Sequence, residues 1–158
     1  MLPKRNPVLF LDENMRSEAI VVPVRAFTDW DVELYGDHFA DGKTDAELVE
    51  FCGPRGWTLV SCDDGFRYTE ECKKVIQRCK SQVFTIILKK ETHAAQIGAA
   101  LINAHDRILR TVKQERGLGL CAHIYLNGGV KVMTRFPAEA VTGRTTQQER
   151  TLRKYGRI

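Results

Sequence analysis

The sequence predicts a three-layer α/β fold: a central, mostly parallel sheet with helices on both faces and a β-hairpin at its C-terminal end. Three observations carry this. Short apolar runs alternate with helix-patterned segments, two of those runs stop abruptly at aspartate, and a late Asn-Gly-Gly separates two β-rich stretches. At 158 residues and 43% hydrophobic, the chain buries one core, so one domain is expected over 1–136, followed by a basic tail over 137–158.

Pro7 to Leu11 is nearly all apolar and ends at Asp12-Glu13-Asn14, the pattern of a strand buried on both faces that reaches a polar edge. Met15 to Phe27 follows as a helix that Pro23 is expected to break or restart. Asp31 to Tyr35 alternates like a strand nearer the sheet edge, and Gly36 to Lys43 is a polar loop. Thr44-Asp45-Ala46-Glu47 reads as a capping box opening a short helix that Gly53-Pro54 stops. Trp57 to Cys62 is the next strand, again closing on acid at Asp63-Asp64-Gly65. Thr69 to Lys80 suits a helix and Val83 to Leu88 a strand.

The longest helical pattern runs from Glu91 to Arg116, with Ala94, Ile97, Leu101, Ala104, Ile108 and Val112 on one stripe. His93, Gln96, Asn103, Arg107 and Arg110 lie opposite, as a solvated face or as one that meets nucleic acid. Cys121 to Leu126 and Val130 to Met133 flank Asn127-Gly128-Gly129 as a hairpin. Arg144, Arg150 and Arg153 fall in the basic tail, a second expected contact for RNA.

A net charge of +4 favours polyanionic partners only mildly. The five cysteines form no C-x-x-C pair and the four histidines no zinc spacing, so a disulfide framework and a zinc site are both set aside. Without an export signal or an apolar stretch of membrane length, the expected location is the cytoplasm, away from membranes. No G-x-G-x-x-G and no complete G-x-x-x-x-G-K-[ST] loop appears, since Asp37 stands where Gly42-Lys43-Thr44 would need its first glycine, which removes dinucleotide and P-loop readings.

Asp12 and Asp63 each follow a strand, and Asp45 begins a helix that enters from the same sheet edge, so all three are expected to converge. Each acid alone has an ordinary reading as a strand end, a helix-dipole complement or a turn. Together they repel one another, and a hard divalent cation, Mg²⁺ or Mn²⁺, suits such an oxygen set.

Phe10 to Asn14 (FLDEN), Thr44 to Cys52 (TDAELVEFC) and Leu59 to Phe66 (LVSCDDGF) resemble successive motifs of PIN-like domains, in particular a compact bacterial group related to VapC-type toxins. The likeness spans about Val8 to Leu88. It implies that Asp12, Asp45 and Asp63 are catalytic, metal-binding acids of a ribonuclease. The family's further acid falls at Gly65, with neighbouring Asp64 as the substitute metal ligand. The resemblance implies single-stranded or structured RNA as substrate and, on its toxin branch, a small antitoxin as partner; a homodimer is left open. Two alternatives stay open: a non-catalytic RNA-binding relative, and a phosphoacceptor receiver imitated by Asp12, Glu13, Asp63 and Lys89. A receiver wants one more strand and helix before its lysine, and a D-x-D phosphatase is weakened by Asn14.

Overall fold

A computed structural model describes residues 6–137. Four helices surround one six-stranded sheet: β1 (Val8–Leu11), α1 (Glu18–Phe27), β2 (Asp31–Leu34), α2 (Asp45–Cys52), β3 (Thr58–Ser61), α3 (Glu70–Cys79), β4 (Gln82–Ile86), α4 (Ala94–Gln114), β5 (Gly119–Ile124) and β6 (Val130–Phe136). The strand order is β2-β1-β3-β4-β5-β6. The first five strands are parallel, and β6 returns antiparallel to β5 through the expected Asn127-Gly128-Gly129 turn, where Gly128 takes φ +88°. The basic tail expected from Pro137 onward lies outside the described residues apart from Pro137.

Alternation along the strands divides the core into two layers. Leu9, Leu11, Val60, Phe84, Ile86, Leu120, Ala122 and Ile124 face α1 and α4. Phe10, Leu59, Val83 and Cys121 face α2 and α3. Phe10 is fully buried, at 0% exposure; burying such a side chain contributes roughly 1.5–3 kcal/mol. Parallel pairing puts the carboxyl ends of β1 to β5 on one edge. The helices between them run back, so their N-termini open at that same edge.

Pro23 does not break α1, contrary to expectation: the helix runs unbroken from Glu18 to Phe27 with the proline inside. Pro23 has no N–H to give the carbonyl of Ala19, four residues back. α4 packs against that same carbonyl through Gly98, where a Cβ would stand 2.8 Å from the Ala19 oxygen. Tertiary packing of Ile20, Val21 and Val24 holds the helix in spite of the missing bond.

Only half of the expected capping box on α2 forms. Thr44 Oγ1 accepts the N–H of Glu47 at 3.2 Å, but the Glu47 carboxylate lies 3.9 Å from Lys43 Nζ. The N-cap itself is worth about 1 kcal/mol, which suffices to start the helix at Asp45.

Candidate metal centre

The carboxyl edge carries a row of polar side chains that continues the inward alternation of the α2/α3 face. Ser61 pairs in register with Thr85, and Thr85 with His123. Asp12 extends β1 by one residue, its N–H bonded to Val60 O at 3.0 Å, and so stands beside Ser61. All four are buried, and buried polar groups persist only when bonded.

Each member of the row holds part of the acidic edge. Ser61 Oγ donates to Asp12 Oδ2 at 2.8 Å and accepts the N–H of Asp63 at 3.0 Å. The N–H of Glu13 donates to Asp12 Oδ1 at 2.7 Å, so both oxygens of Asp12 are oriented. Thr85 Oγ1 reaches the Asp63 carbonyl at 3.5 Å, a weak contact. His123 Nε2 lies 2.9 Å from Asp64 Oδ1. The 3-10 turn over Asp64–Arg67 is thus tied to three strands, and Asp63 caps it by accepting the Gly65 N–H at 2.9 Å.

Asp45 enters from the N-terminus of α2, half-buried over the same edge. Burial first, then the charge of Asp63, then that of Asp12, raises its carboxyl above the ordinary value of 3.8. Asp12 and Asp63 therefore act on Asp45 as like charges, and Asp12 and Asp45 line one cavity. The same negative field adds to burial in pushing the Cys62 thiol up to about 11.

Gly65 sits inside this group. A Cβ there would stand 3.2 Å from Asp63 Oδ1 and 3.6 Å from Asp45 Oδ2, so the position where the family carries another acid faces the centre. Asp64 points instead to His123 on β5. Arg107 and Arg110 belong to α4, in the layer on the far side of the sheet; Arg107 Nη1 donates to Gly128 O at 3.3 Å and Arg110 is exposed. Arg144, Arg150 and Arg153 lie outside the described residues.

Among the described residues, no group of three or more His, Cys, Asp or Glu side chains is placed so that it could hold a metal ion. The side chains at this edge end in carboxylate oxygens, and the charges of Asp63 and Asp12 bear on Asp45. Mg²⁺ is commonly held by one or two carboxylates, with water and phosphate oxygens completing the shell.

Ser61, Thr85 and His123 hold the acidic edge in place, and the linear reading passed over them. Their signal was present as the polar position closing three successive apolar strands. It has meaning only once register aligns them.

The profile of a family described as PIN like domain matches residues 7–87, just over half of the chain. No curated protein and no solved structure matches. The matched span contains Asp12, Asp45, Asp63, Asp64 and Gly65; β5 and β6 lie beyond it and complete the same sheet. Among the described residues, no helix is long and apolar enough to cross a membrane.

Proposed function

Because the chain belongs to the PIN-like domain family, we propose that it is a metal-dependent endoribonuclease whose centre is Asp12, Asp45 and Asp63. Family membership supports a general nuclease or RNA-binding role, and the raised carboxyl of Asp45 carries the finer reading. A carboxyl pressed toward its neutral form by Asp63 and Asp12 marks a place where a cation relieves repulsion. A Mg²⁺ or Mn²⁺ held there by Asp12, Asp45 and Asp63 would supply an activated water and stabilise charge on the phosphate oxygens.

The remaining contributions come from the chain. Ser61 and the Glu13 N–H fix the rotation of Asp12, leaving a lone pair free on each oxygen. Ser61 and Thr85 pin the backbone of Asp63, so its carboxylate is presented from a turn that does not depend on solvent. His123, through Asp64, holds the far end of that turn against β5. No nucleophilic side chain is required; burial and the charge of Asp12 push the Cys62 thiol that follows β3 up to about 11.

Gly65 favours a second reading, a PIN-like protein that binds RNA without cutting it. A toxin role is finer still: an antitoxin would then cover the acidic cleft, and a gene for a short DNA-binding protein beside this one is the observation that speaks for it.

The test is an RNA cleavage assay with Mn²⁺ or Mg²⁺ on the wild type, Asp12→Asn and Asp63→Asn. Each substitution is expected to lower the rate by about a hundredfold or more, with circular dichroism unchanged. Cleavage in EDTA, or full activity in both variants, overturns the mechanism. Binding without any cleavage by the wild type selects the second reading.

A further inference from the structure

We propose that Lys89, Lys90 and Lys131 form a track for RNA phosphates across the β4–β6 half of the carboxyl edge, to one side of the acids. This rests on the RNA reading above and adds to it a binding surface and a substrate-length requirement.

The row of side chains at this edge does not stop at His123. Lys131 of β6 pairs in register with His123, and cross-strand partners share a face of the sheet. His123 meets Asp64 of the acidic turn at 2.9 Å, so Lys131 stands exposed one strand further out on the same side. The loop from β4 to α4 opens at the same edge and carries Lys89 and Lys90, both exposed. All three lysines lie beyond residues 7–87, the span that the family profile matches.

Electrostatics sets these lysines apart from other cations of the chain. Lys73, Arg78 and Arg135 meet carboxylates, and Lys80, Lys113 and Arg116 sit at the C-terminal ends of α3 and α4, where the helix dipole favours positive charge. At the carboxyl edge the reverse holds. Lys89 and Lys90 are adjacent like charges placed before the positive N-terminal end of α4. Among the described residues, neither they nor Lys131 form an ion pair, even with neighbouring Glu91. Their charge is left to water, and a phosphodiester backbone is the anion that the proposed substrate brings to this edge.

The loop is set before any ligand arrives. Thr92 Oγ1 accepts the Lys89 N–H at 3.0 Å and donates to the Lys89 carbonyl at 2.5 Å. The His93 N–H donates to Gln96 Oε1 at 2.6 Å, which anchors the loop to the first turn of α4. Lys89 is therefore presented from a fixed backbone, and binding need not order it.

Sheet geometry gives the track a length. Asp63 follows β3, and β6 lies beyond β4 and β5 in the strand order, a distance of about 14 Å at the usual strand spacing. Stacked nucleotides rise about 3.4 Å each, so about four of them separate the scissile phosphate from the one at Lys131. A shorter substrate misses the end of the track.

The experiment follows a labelled oligoribonucleotide longer than the track by fluorescence anisotropy, in EDTA and across a salt series. Lys89→Ala, Lys90→Ala and Lys131→Ala are each expected to lower the salt slope by about 0.7, the share of one phosphate on a single strand. Lys113→Ala, an exposed lysine near the amino edge, leaves it unchanged. In Mn²⁺ the long RNA is expected to have a lower KM than a trinucleotide, and the triple alanine variant removes that advantage without changing kcat. A slope indifferent to all three substitutions, or lowered as much by Lys113→Ala, overturns the proposal. So does displacement of the RNA by poly-glutamate as readily as by unlabelled RNA of equal charge, which assigns the surface to an acidic protein. Slope losses without cleavage in Mn²⁺ leave the track standing and remove the nuclease; cleavage with a KM indifferent to the lysines does the reverse.

Discussion

Both edges of the sheet carry a cavity with polar groups in its lining, yet their charges are arranged in opposite ways. At the amino edge a cavity of about 420 Å³ is lined by Trp57, Lys80, Ser81, Gln82 and Arg116. There the polar groups close helix C-termini: Ser81 Oγ donates to Val49 O at 3.1 Å, and Gln82 Nε2 to Glu115 O at 3.1 Å. Lys80 and Arg116 complement the negative ends of α3 and α4. At the carboxyl edge the buried hydroxyls and His123 serve instead to hold carboxylates, and Asp45 is left with like charges about it. The two edges thus differ less in having polar groups than in what those groups are bonded to.

The sharpest break of this contrast pairs Asp12→Asn with Arg116→Ala in the cleavage assay. The first is expected to remove activity and the second to leave the rate unchanged, costing only about 0.3–1 kcal/mol of stability through the helix end. Loss of activity in Arg116→Ala would mean that the amino edge takes part in function.

A smaller effect comes from placing a carboxylate where the centre lacks one. Gly65→Asp points a fourth acid at Asp45 and Asp63, and Mn²⁺ affinity, read by calorimetry, is expected to rise by about tenfold because affinity follows ligand charge. An unchanged or weaker affinity would show that the contact 3.2 Å from Asp63 Oδ1 is too tight to accept a ligand.

Asp45 gives a pH signature. Its folded value is raised, so the folded chain binds that proton more tightly than the unfolded chain does. The associated stability is present at acid pH and lost as pH rises from 3.8 through the raised value. In EDTA at neutral pH, Asp45→Asn should melt about 2–4 °C higher than the wild type, with no difference below the unfolded value. Mn²⁺ should reverse the order. A neutral-pH melt in which the variant is the less stable protein would remove like-charge repulsion from the account.

The smallest expected change returns to the amino edge. Lys80 holds φ 53° at the end of α3, and Lys80→Gly should stabilise by about 0.5–1 kcal/mol in urea melts without touching activity. Destabilisation would show that the lysine side chain contributes more to the edge than its backbone strain costs.

Most elements were readable because each depends on local pattern. The apolar run ending at Asp12, the Thr44 cap and the Asn127-Gly128-Gly129 turn act within a few residues of themselves. Pro23 was misjudged because the intrinsic cost of a helical proline is local, whereas the compensation, packing with α4 at Gly98, is 75 residues away. In the centre, strand order alone placed Asp12, Asp45 and Asp63 on one edge. Ser61, Thr85 and His123 stayed invisible because they are single polar residues in unrelated runs until pairing sets them side by side.

The sequence by itself determined the layers, the parallel sheet and the edge on which the acids lie, since hydrophobic period and element order suffice for these. Only the tertiary structure decided which acid neighbours are in reach: Gly65 faces the centre while Asp64 turns to His123. The reason is physical. Period and order specify the face and edge a residue occupies, but the direction of a side chain in a turn is set by the hydrogen bonds that pin it, and here those come from three different strands.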